Sequence, residues 1–195
     1  MPYRNTLFRT VPYWPVDQWS DVQIVPGAFV FAGASDPTLN TWQPTGAGAT
    51  FRVYVFATAD EVFFTFQLPK SYKEGTDLHA HVHWTPRNRG VAEDGNTVAW
   101  KLDYSISCCD EPYPASSTVD MTDTCDGVNE AHQVSPHTAI PGMGMHVSAL
   151  LIGRLYRDAG DTWVGAIAAQ LPALLEIDLH VLLDTLGSLR EGEKV

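Results

Sequence analysis

Leu78 to Trp84 reads Leu-His-Ala-His-Val-His-Trp. The strict alternation puts His79, His81 and His83 on one side of an extended strand, and Leu78, Ala80, Val82 and Trp84 on the other. A strand rises about 3.3 Å per residue, so successive imidazoles on that side lie roughly 7 Å apart. Such a row has three uses. Neutral imidazole nitrogens ligate divalent transition metals. Imidazole also charges near its reference pKa of about 6.5, which makes a pH-sensitive face. The same row is a polar face fit to line a subunit interface.

A metal-dependent enzyme of the cupin type would take His81 and His83 as its His-x-His pair. Its distant ligand would be His146, after the turn Pro141 to Gly144, or His180, which shares a face with Asp178. Cupins place a Glu four or five residues after the second histidine. Those positions hold Arg87 and Asn88, and a cation beside a metal is unfavourable. His79 also extends the row beyond what three ligands require. The residues therefore favour a structural use: His79, His81 and His83 as interface residues, no catalytic residue, no metal and no other cofactor. Charging of such an interface near pH 5 to 6 is expected to weaken assembly.

Other motifs carry less. Asp123-Thr-Cys-Asp-Gly127 has acids in a loop but lacks the alternating oxygen ligands and closing Glu of an EF-hand. No Gly-x-Ser-x-Gly, phosphate-binding glycine loop or His-Glu-x-x-His occurs. Cys108, Cys109 and Cys125 match no metal spacing. A bridge from Cys108 or Cys109 to Cys125 and three free thiols are both open readings, the thiols being the expected state in a reducing cytosol.

Lys plus Arg number 12 and Asp plus Glu 23, for a net charge of −11. Between Arg89 and Arg154 the only cation is Lys101. Such a surface repels phosphate backbones and argues against direct nucleic-acid binding. No apolar run approaches the ~20 residues of a membrane helix, and no signal peptide is visible, so no membrane partner is expected.

The positioning elements are strands. Residues 1–21 carry three prolines among Tyr3, Phe8, Tyr13, Trp14 and Trp19 and read as an extended arm, separate from a single domain over 22–195. Arg4 and Arg9 are the only cations before Arg52, so the arm is basic on an acidic protein. Strands are expected over 22–25, 28–32, 51–56, 61–68, 78–84, 98–106, 145–157 and 174–184, with shorter ones near 118–122 and 131–135. Residues 33–49 read as a loop and 166–171 as one or two helical turns. Short strands with turn residues between them argue for an antiparallel β-sandwich or barrel, with jelly-roll and cupin-like versions both open.

Several strings resemble a family of tailed-bacteriophage virion proteins: Glu61 to Trp84, Val98 to Tyr104, Leu155 to Asp158 and Leu175 to Ser188. The resemblance covers roughly residues 50–188. It implies an all-β, antiparallel jelly-roll-like β-sandwich, trimeric, and without catalytic residues. The expected function is then a non-enzymatic capsid decoration (cement) protein, located in the virion and made in the bacterial host cytoplasm. Its partners would be its own copies in a homotrimer and the major capsid protein or another virion subunit. Arg4, Phe8, Arg9, Tyr13, Trp14 and Trp19 would anchor it to the shell. A tail fibre or receptor-binding knob is the alternative, with Trp42, Trp84 or Trp163 lining a sugar cleft; a cupin enzyme on His81 and His83 is the second.

Overall fold

The computed structural model describes residues 17–87 and 93–185. Among these residues thirteen strands follow one another: β1 (Gln18–Ile24), β2 (Thr38–Trp42), β3 (Phe51–Val55), β4 (Glu61–Gln67), β5 (Leu78–Thr85), β6 (Thr97–Val98), β7 (Trp100–Ser107), β8 (Ser117–Asp120), β9 (Asp123–Thr124), β10 (Gln133–Val134), β11 (Thr138–Ile140), β12 (Leu150–Arg157) and β13 (Ala173–Leu183). The fold is an antiparallel β-sandwich. One wall has seven strands, in the order β10-β5-β13-β3-β2, with β11 also on β5 and β1 also on β13; the other runs β4-β12-β7-β8.

Alternation builds the core. Leu78, Ala80, Val82 and Trp84 of β5 and Ile177, Leu179 and Val181 of β13 point inward. There they share one buried cluster with Val62, Phe64 and Phe66 of β4, Leu151 and Leu155 of β12, and Trp100 and Leu102 of β7. Gly153 is required in β12 because a Cβ there would lie 2.6 Å from the ring of Phe64. Trp84 meets Trp163 edge to face at 5.8 Å, and its indole N–H donates to Asp123 Oδ2 at 2.8 Å.

Several elements differ from expectation, each for a local reason. Residues 18–21, read as part of the arm, pair in register with β13 from Gln18↔Leu183 to Ile24↔Ile177. The strand expected over 28–32 shrinks to one bridge, Val30↔Phe63, because a 3-10 turn occupies Pro26–Ala28. β2 lies in the stretch read as loop; it is a polar edge strand held by pairing with β3, so no apolar period announces it. β12 begins at Leu150 rather than 145, after the chain turns through Gly142, whose Cα packs on the backbone of Thr76. Ile167 to Leu171 forms a single turn closed on the carbonyl of Ile167. Residues 51–56 and 61–68, joined by a short turn, fall in opposite walls. The three cysteines are free.

Candidate functional site

The outer face of the seven-stranded wall gathers six of the seven histidines. Register explains how. On β5 and β13, His83 stands opposite Glu176, His81 opposite Asp178, and His79 opposite His180. On the far side of β13, β1 sets Gln23 against Asp178 and Asp21 against His180. His137, just before β11, and His132, just before β10, close over the other flank of β5.

At the centre His81 is 2% exposed. Its ring stacks on His137 at 4.4 Å, with planes 7° apart, and His180 lies 4.6 Å away. Its Nε2 is 2.9 Å from His83 Nε2, and Asp178 Oδ2 sits 3.6 Å and 3.2 Å from those two nitrogens. His83 Nδ1 is in turn 2.6 Å from His132 Nε2. His180 Nδ1 faces Asp21 Oδ1 at 3.1 Å, and Trp19 meets His79 edge to face at 5.1 Å. Three buried polar atoms of this cluster have no hydrogen-bond partner: His81 Nδ1, Asp178 Oδ1 and His180 Nε2. A depression of about 360 Å³ opens beside them, lined by Trp19, His79, His137 and His180.

Burial, followed by the charges that His137, His180 and His83 can carry, pushes the pKa of His81 down to about 4. His137 is lowered for the same first reason. The expectation that the whole row charges near pH 5 to 6 therefore fails at its middle member: water cannot solvate an imidazolium there. His81 is enclosed by its own chain, whereas His79 and His83 keep partial exposure.

The remaining candidates lie elsewhere. His146 sits on an exposed loop, 3.4 Å from Glu74, outside every histidine or carboxylate grouping among the described residues. Arg87, which argued against a metal, turns away from the row: its Nη2 donates to Thr41 O at 2.6 Å. Asp178 supplies the carboxylate that His81 and His83 lack in their own strand. Its place on the histidine-bearing side of β13 was legible; its pairing with His81 was not, because sequence does not carry the β5–β13 register. Trp84 and Trp163 are buried and cannot line a surface cleft, while Trp42 donates to Glu130 Oε1 at 3.1 Å. Asp123 and Asp126 accept hydrogen bonds from Trp84, Thr124, Val128 and Gln133. Arg4, Phe8, Arg9, Tyr13 and Trp14 lie outside the described residues; Trp19 belongs to β1 and is 49% exposed.

No family model matches the chain, and no curated protein does. Among solved structures it is similar to a cycloisomaltooligosaccharide glucanotransferase of Paenibacillus sp., at 12% identity and TM-score 0.37 over 84% of this chain and 18% of that one. It is also similar to dimeric latent PorU of Porphyromonas gingivalis, at 10% identity and TM-score 0.34 over 86% and 13%. A third is TmCBM61 in complex with β-1,4-galactotriose, at 11% identity and TM-score 0.34 over 83% and 86%. The chain thus spans under a fifth of the first two. Likenesses at this level say nothing of what it binds.

Proposed function

We propose that this chain is a non-enzymatic structural subunit of a tailed-bacteriophage virion: a head-decoration module, homotrimeric, that engages the shell through the segment preceding β1. The observation that carries this reading is where the virion-like strings fall. They supply β4 and β5, the first half of β7, the end of β12 and nearly all of β13. They therefore account for both walls of the sandwich rather than one surface loop. The basic, proline- and aromatic-rich segment before residue 17 precedes in sequence β1, which pairs with β13 and carries the exposed Trp19. Each large aromatic of that segment, buried against a partner, would contribute on the order of 2 to 3 kcal/mol.

Of the tryptophans offered for the receptor-knob alternative, Trp84 and Trp163 are spent in the core, while Trp42 lines a depression of about 310 Å³ beside Arg87, Glu130 and Gln170. The test is co-sedimentation of the untagged chain with phage shells that lack it, beside a truncated chain starting at Asp17. The full chain should bind saturably and the truncated one should not. Failure of the full chain to bind, or undiminished binding by the truncated one, contradicts the reading.

A further inference from the structure

We propose that the outer face of the seven-stranded wall holds one divalent transition-metal ion of the zinc class, ligated by His81 Nε2, His83 Nε2 and Asp178 Oδ2. This goes beyond the virion reading and does not depend on it.

The spacing is that of a coordination face. The three atoms are 2.9, 3.6 and 3.2 Å apart. Ligands at about 2.0–2.1 Å around a tetrahedral zinc are separated by roughly 3.3 Å. A point about 1.9 Å from all three lies in their plane, so an ion raised slightly from it meets each at an ordinary bond length.

Protons alone serve these atoms poorly. With one Nε2–H between the two rings a contact is left between two lone pairs, and with both Nε2 atoms protonated two N–H groups face each other across 2.9 Å. A cation accepts all three lone pairs together. Charge points the same way. Asp178 is 3% exposed, and its ion-pair partners among the described residues are these two imidazoles. A carboxylate so removed from water requires a counter-charge. Its other oxygen, buried without a donor, is free to become a second oxygen ligand. With Nε2 on the ion, His83 carries its proton on Nδ1, aimed at His132 Nε2 2.6 Å away, the outer-shell bond that metal-bound histidines make. His83 is partly exposed, which gives the ion an entrance and leaves the fourth position to water.

The experiment is zinc binding by the untagged, chelator-treated full chain, read by calorimetry and by metal analysis after desalting. One zinc per chain should be retained, and the unfolding temperature should rise with zinc concentration by mass action. His83→Ala and the near-isosteric Asp178→Asn should each weaken binding on the order of a hundredfold, and His132→Ala by about tenfold. Circular dichroism of the variants separates lost binding from lost fold, and Asp178→Asn serves if His83→Ala does not fold. A folded wild-type chain that retains no zinc overturns the proposal. So does zinc retention undisturbed in folded His83→Ala and Asp178→Asn but lost in His137→Ala, which would move the ion to the other side of His81.

Discussion

Arg157 shows how a charge is kept inside this sandwich. Its guanidinium holds Asp161 through two bonds, of 2.6 and 3.0 Å, and donates to Phe56 O at 2.9 Å; both side chains are almost fully buried. Removing one member of such a pair leaves the other desolvated and alone. Asp161→Ala is expected to cost about 3–5 kcal/mol, read as a lowered urea midpoint. Asp158→Ala, which breaks the part-exposed pair with Lys101, should move the midpoint far less. Equal effects would contradict this ranking. The histidine face shows what single residues disclose beforehand. Period-two spacing reveals that His79, His81 and His83 share a side. It does not reveal that His81 is sealed from water, since the groups that seal it, His137 and His180, come from elsewhere in the chain. Arg87 misled for the same reason: proximity in sequence to His83 did not give its direction.

Among the elements, β1 decides how much of the N-terminal segment is arm and how much is sheet. All seven of its residues pair with β13, Asp21 faces His180, and Lys73 pairs with Asp17 just before it. A chain beginning at Val22 loses four of the seven pairs and uncovers an edge of β13. It should unfold at lower urea than the full chain and show a greater tendency to associate through that edge. A chain beginning at Asp17 should match the full chain in stability. If both truncations melt alike, β1 is not part of the folding unit. β1 was half legible: Val22 to Ile24 carries the apolar signal, while Gln18 to Asp21 is too polar to declare a strand without its partner. β2 escaped altogether because pairing, not an apolar face, holds it. β5 and β13 were plain, since each buries one complete apolar side.

At the scale of the molecule, the chain is an acidic, two-walled antiparallel β-sandwich with a net charge of −11. Among the described residues no helix is long and apolar enough to cross a membrane. The chemistry-bearing side chains are turned toward one another across β5 and β13, which suits an ion or an interlock between strands. The all-β class was readable from turn spacing and alternation; the assignment of strands to walls was not, because β3 and β4 are separated by only a short turn yet lie on opposite sides of the core. The claim of a virion subunit is tested most directly by peptide mass spectrometry of gradient-purified phage particles from the host that carries the gene. Peptides of this chain should be present at a fixed ratio to the major shell subunit, in copies that are a multiple of three. Their absence from the particles, with the chain abundant in the same lysate, would contradict the account.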